Sequence, residues 1–129
     1  GMEFDNGSGL SRSSRHTPRQ LGQVLIDAWK SPLMHELVAS LPLVADDGTM
    51  KKRLDESPVA GQAHVKTGYL EGVRAIAGYV NNVHGQTFSV VFFVNHDRSR
   101  YAGRALDTLL EWTHGATNES SAQLRNASP

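Results

Sequence analysis

Lys66-Thr67-Gly68 places a cation, a hydroxyl and a residue without a side chain in a row. Such a triplet can hold a carboxylate by charge-assisted hydrogen bonds and leave backbone N–H groups free to approach a carbonyl. An exposed strand end with a solvated lysine would satisfy the same three letters. A second candidate is the run Asp5-Asn6-Gly7-Ser8-Gly9-Leu10-Ser11-Arg12, in which Asp5, Ser8, Gly9 and Ser11 would form a structural loop of a site. Its plain alternative is a glycine-rich turn. Ser8 does not read as a nucleophile elbow, because Phe4 and Asp5 make no strand of the required kind and Gly9-Leu10-Ser11 opens no helix. The six histidines, His16, His35, His64, His84, His96 and His114, show no His-x-x-x-His spacing, and cysteine is absent. Neither a metal site nor thiolate chemistry is expected, and no cofactor is implied.

The elements that must position these residues follow from periodicity. The 129 residues suffice for one domain with a modest core. Thirteen Lys plus Arg balance thirteen Asp plus Glu, and no basic stripe with interleaved aromatics occurs, so a nucleic-acid partner is not expected. No apolar run approaches the ~20 residues needed to cross a bilayer. Gly1 ahead of Met2 reads as a residue left by tag removal. Thr17-Pro18-Arg19-Gln20 is a capping box with proline at the first helical position. Leu21, Val24, Leu25 and Ala28 then share one helical face, and Ser31-Pro32 ends the element. A second short helix is predicted with Leu33, Leu37, Val38 and Leu41 on one side. Residues 44–58 read as a loop with at most one helical turn. From Val59 the period changes. Ala63, Val65 and Thr67 alternate with His64, Lys66 and Gly68, as in a strand with one face buried. Val73–Val80 is a second strand, with a turn at Asn81, Asn82 and Gly85. Thr87–Asn95 is a third, whose apolar run Val90–Val94 predicts cover on both faces. Ala102, Ala105, Leu106, Leu109 and Thr113 return to helical spacing over 99–114, with Gly115 at the C-cap position. Residues 116–129 read as a disordered polar tail, within which Asn118-Glu119-Ser120 matches a glycosylation acceptor. The expected fold is α/β (α+β): a three-stranded antiparallel meander with N-terminal helices and a C-terminal helix packed on the sheet.

Taken together, the motifs carry more than they do singly. Asp5–Arg12, Leu41-Pro42-Leu43, Asp47-Gly48-Thr49-Met50-Lys51-Lys52-Arg53-Leu54, His64-Val65-Lys66-Thr67-Gly68-Tyr69-Leu70 and Ala77-Gly78-Tyr79-Val80 occur in one order. This array, from about residue 3 to residue 114, closely resembles the C-terminal part of D-alanyl-D-alanine carboxypeptidase/endopeptidases of the PBP4 (DacB) type, peptidase family S13. The resemblance implies the penicillin-binding, serine β-lactamase-like transpeptidase fold over residues 2–115, and a serine acyl-transfer chemistry on peptidoglycan peptides that β-lactams intercept. It implies roles for four residues. Lys66, the catalytic match, supplies positive potential and helps to move protons. Thr67 binds the terminal carboxylate of the substrate. Gly68 keeps the strand open. Tyr69, where relatives more often have Ser or Thr, offers a backbone N–H to the oxyanion.

The family carries two further motifs, Ser-x-x-Lys with the nucleophile and Ser-x-Asn. Neither occurs here. Asp27, Gly48, Thr49 and Ala63 stand three positions before Lys30, Lys51, Lys52 and Lys66. No serine stands two positions before an asparagine. Thr49-Met50-Lys51-Lys52 is the nearest imitation of the first motif. An acyl-transfer mechanism needs an activated nucleophile beside its base. The chain therefore reads as a C-terminal fragment that holds one wall of the cleft and is inactive alone. The alternative is a non-catalytic module that binds peptidoglycan peptide or a partner chain. A third reading, a complete enzyme using Ser8 or Ser11, has least in its favour. The resemblance places the parent in the periplasm or cell envelope. With no signal peptide, the chain expressed alone would stay in the cytoplasm. A fragment of this fold would expose the 87–95 strand, and a homo-oligomer through that strand is expected.

Overall fold

The structure is a computed structural model that describes residues 1–7 and 11–115. The expectations for Ser8, Gly9 and the 116–129 tail lie outside the described residues. Two helices, α1 (Pro18–Trp29) and α2 (Met34–Ser40), precede a three-stranded sheet of β1 (Ala63–Leu70), β2 (Val73–Asn81) and β3 (Thr87–Asn95). A 3-10 turn at Ser99–Ala102 leads into α3 (Gly103–Gly115). The sheet is an antiparallel meander in the order β1-β2-β3.

Cross-strand register sorts the side chains into two faces. Val65, Gly78 and Val90 lie in one row, with Ala63, Val80 and Phe88 beside it and Thr67, Ile76 and Phe92 on the other side. On this face Val65, Ile76, Val80 and Val90 pack with Leu106 and Leu110 of α3 and with Val44, Met50 and Val59 from the preceding loop. The opposite face is covered by α1 and the segment before it. The Tyr79 hydroxyl donates to the Leu25 carbonyl at 2.7 Å, Trp29 packs on the Tyr79 ring, and His16 meets Phe93 edge-on. The apolar run of β3 thus has cover on both sides, as its composition predicts. α1 starts where the capping box places it: the Thr17 hydroxyl accepts from Gln20 N–H, and the Gln20 side chain accepts from Thr17 N–H.

Several expectations are corrected. On α1 only Leu25 is buried, and Val24 is 46 % exposed. α2 is shorter than expected: Leu33 and Leu41 are its caps, none of its residues is fully buried, and Leu33 is 65 % exposed. On α3 the fully buried positions are Leu106, Leu110 and Thr113, so Ala105 faces out and Leu110 replaces it. Gly115 is the last residue of α3 and not a cap beyond it.

Candidate functional site at the open edge of strand β1

β1 is an outer strand, and its free edge changes character along its length. Near its start, Val44 N–H donates to the Ala63 carbonyl and Val65 N–H donates to the Pro42 carbonyl, both at 2.9 Å, while Leu43 bridges to His64. The Ala63 carbonyl and the Val65 N–H therefore point to the outer side and are bonded there. Antiparallel alternation gives 67 and 69 the same outward direction. Beyond Val65, no backbone bond from a described residue outside β2 reaches this edge. The chain thus presents outward backbone groups at Thr67 and Tyr69, directly past a segment that is already paired. Nothing in the sequence marks Pro42–Val44 as a strand-like partner. Three residues with one proline carry no readable alternation, and proline on a sheet edge is common only where its missing N–H is harmless.

The side chains around this edge fit a small anionic group. Lys66 is exposed, and its Nζ donates to the Thr67 carbonyl at 2.7 Å, which places the ammonium over the outer edge. The Thr67 hydroxyl is half-buried and lies 2.6 Å from the Thr49 hydroxyl. Gly68 is exposed, and a Cβ there would press on Ala75 Cβ at 3.3 Å. The Tyr69 side chain is 78 % exposed, with the Arg74 guanidinium 3.3 Å from its ring centroid. Arg74 also donates to the Leu70 and Val73 carbonyls at 3.1 and 2.8 Å, which pins it across the β1–β2 turn. A cation, a hydroxyl and outward backbone N–H groups at alternate positions can grip a carboxylate and an adjacent peptide carbonyl.

Thr49 lies in the Asp47–Leu54 segment, one of the motifs that carry the resemblance, but residue type and spacing give it no role. Its placement is over-determined. Asp47 Oδ1 accepts Leu43 N–H at 2.7 Å. Gly48 has φ +58°, and a Cβ there would lie 2.9 Å from Pro42 Cβ, so glycine is required. Met50 is fully buried in the core, and Ala45 N–H donates to its carbonyl at 3.1 Å. Arg53 continues the anchoring by pairing with Asp107 and donating to the Gly103 carbonyl at 3.1 Å. The Asp-Gly-Thr-Met order was the available signal: cap, turn, exposed hydroxyl, buried plug.

The Asp5–Arg12 loop is described only at its ends. Asp5 accepts from Asn6, and its N–H donates to Ser14 Oγ; Ser11 Oγ accepts N–H bonds from Ser13 and Ser14. These bonds hold the loop to itself and do not bring Asp5 or Ser11 to Lys66–Tyr69. Among the described residues no cluster of three or more His, Cys, Asp or Glu could hold a metal, and no helix is long and apolar enough to cross a membrane.

A meander with helices on both faces and Lys-Thr-Gly at an open outer edge defines the C-terminal part of the penicillin-binding fold. The chain belongs to the D-Ala-D-Ala carboxypeptidase 3 (S13) family, whose model matches residues 1–113. It is 32 % identical over 92 residues to penicillin-sensitive carboxypeptidase A of Dictyostelium discoideum, covering 68 % of this chain and 18 % of that protein. It is 33 % identical over 102 residues to D-alanyl-D-alanine carboxypeptidase DacB of Haemophilus influenzae, covering 74 % and 21 %. The structure of penicillin binding protein 4 (dacB) from Haemophilus influenzae, in complex with a novel β-lactam, superposes with a TM-score of 0.69 at 25 % identity, covering 85 % of this chain and 28 % of that one. The chain thus spans about a fifth of the length of the curated relatives it matches.

Proposed function

We propose that this chain forms one wall of a serine-type D-alanyl-D-alanine carboxypeptidase/endopeptidase cleft that processes peptidoglycan peptides in the cell envelope. The observation that carries the reading is the outer edge of β1, where open backbone positions at Thr67 and Tyr69 adjoin the Lys66 ammonium and the Thr67 hydroxyl. A D-alanine-ended peptide lies along this edge as an added strand. Its carboxylate accepts from Lys66 Nζ and Thr67 Oγ1, and Tyr69 N–H donates to the carbonyl that becomes the oxyanion. Gly68 lets the peptide backbone approach. A β-lactam carboxylate takes the same place.

Within these 129 residues neither Ser-x-x-Lys nor Ser-x-Asn occurs. The wall therefore binds and orients, and the acylated serine is not supplied by this chain. Alone it behaves as a carboxylate-binding module without chemistry. The test is incubation of the folded chain with a fluorescent penicillin, followed by denaturing intact-mass measurement. No adduct is expected. A stoichiometric adduct on Ser8, Ser11 or any other serine would overturn the inactive-alone reading. We also propose that the outer edge of β3 pairs with the β3 of a second copy, giving a homo-oligomer.

A further inference from the structure

Thr49 reaches Thr67 from a separate element, and the bond between their hydroxyls has a direction. Each hydroxyl has one proton to give and lone pairs to accept with. At 2.6 Å one Oγ1 donates and the other accepts. An ionised carboxylate only accepts. When Thr67 donates to a carboxylate, its single proton points away from Thr49. The proton between the two threonines must then come from Thr49.

We infer that Thr49 is a positioning and specificity-determining residue of the carboxylate site: when Thr67 donates to a ligand, Thr49 donates to Thr67 Oγ1, polarises that hydroxyl and biases the site toward an anionic chain-terminal carboxylate over a neutral carboxamide. The inference rests on the carboxylate-binding reading of Lys66–Tyr69. Its geometry is set by neighbours with no part in binding. The Asp47 side chain holds Leu43 N–H, Gly48 turns tightly against Pro42, and buried Met50 plugs the core. Thr49 itself is exposed, so its substitution removes a hydroxyl without opening a cavity. With Thr49 unable to donate, the Thr67 hydroxyl loses that polarisation, and its bond to an anionic carboxylate weakens more than its bond to a neutral carboxamide.

The test uses the full 129-residue chain, ¹⁵N-labelled, titrated with N-acetyl-L-Lys-D-Ala-D-Ala and, separately, with its C-terminal amide. Shifts of the Lys66–Leu70 amides report binding. The neutral hydrogen bond at stake corresponds to roughly a 3- to 10-fold effect. Thr49→Val should lower the carboxylate-over-amide preference by about that factor, and Thr49→Ser should restore it. An unchanged preference in Thr49→Val, with wild-type binding intact, overturns the role of Thr49 alone. Equal weakening of both peptides in Thr49→Val and Thr49→Ser marks a purely structural effect and also overturns it. No carboxylate-dependent shift in the wild-type chain overturns the underlying carboxylate site.

Discussion

At the scale of single residues, the sheet depends on Gly78 for a steric reason. Gly78 has φ +157°, a value side-chain-bearing residues avoid, and a Cβ there would overlap the His64 carbonyl and lie 2.7 Å from Val65 Cα. Both obstacles are backbone of the strand that carries Lys66, so neither can swing aside. Gly78→Ala is expected to cost about 2–5 kcal/mol, seen as a lower urea midpoint at unchanged slope. A loss below about 0.5 kcal/mol would contradict the geometry. Tyr79, next along β2, carries a pH signature. Burial raises its phenol pKa above the ordinary value, and its hydroxyl donates to Leu25 O. The folded chain therefore keeps a proton that the unfolded chain gives up above about pH 10. Stability from this group is full below that pH and is lost as pH rises through the raised folded value. Tyr79→Phe should lose about 1 kcal/mol at neutral pH and flatten the alkaline fall. Parallel alkaline slopes for the two proteins in urea melts would refute the assignment.

At the scale of elements, the 43–54 segment is the brace of the site. Met50→Ala empties a fully buried position and should cost about 2–5 kcal/mol by thermal or urea unfolding. It should also broaden the Thr49 and Thr67 amide resonances, since Met50 anchors the turn. Sharp, unmoved resonances would show that the turn stands without its plug. This brace was the part least legible beforehand. The strands were readable because Ala63, Val65 and Thr67 alternate and because Val90–Val94 is too short and too β-branched for a helix. α1 was readable from its capping box and its i, i+3, i+4, i+7 spacing, although of that face only Leu25 is buried. The 42–50 segment has neither period nor length: it pairs through two backbone bonds, turns on one glycine and buries single residues. α3 was found with Leu106, Leu109 and Thr113 inward, but Leu110 was left off that face and exposed Ala105 put on it, because apolar type alone does not rank neighbouring positions. The Lys66–Tyr69 position was visible as a motif. That residues 67 and 69 point outward, and 66 and 68 do not, follows from pairing partners the motif does not contain.

At the scale of the whole molecule, the two sheet edges differ. β1 is partly sealed by Pro42–Val44. β3 is the other outer strand, with no strand beyond it among the described residues. Near it lies a pocket of about 170 Å³ lined by Ile26, Trp29, Tyr79, Thr87 and Ser89, and Val24 on α1 is half-exposed. An unpaired edge beside apolar helix surface favours strand pairing between copies. Light scattering at micromolar concentration should give a mass of at least twice 14.1 kDa. A monodisperse monomer would dismiss the β3 pairing and leave the β1 site untouched.

For a peptide bound as proposed, the half-sealed edge of β1 would act as a ruler. From Thr67 to Tyr69 the strand advances only about 7 Å before a visiting backbone, moving toward the start of β1, runs into the rungs taken by Pro42 and Val44. A guest peptide that zips onto these rungs must therefore stop near Thr67. On the proposed carboxylate-binding reading, preference for a free chain end would follow from where the ladder dead-ends, before any charge is counted. A peptide extended by several residues past its D-Ala-D-Ala should fail to register on β1 even if its new terminus also bears a carboxylate.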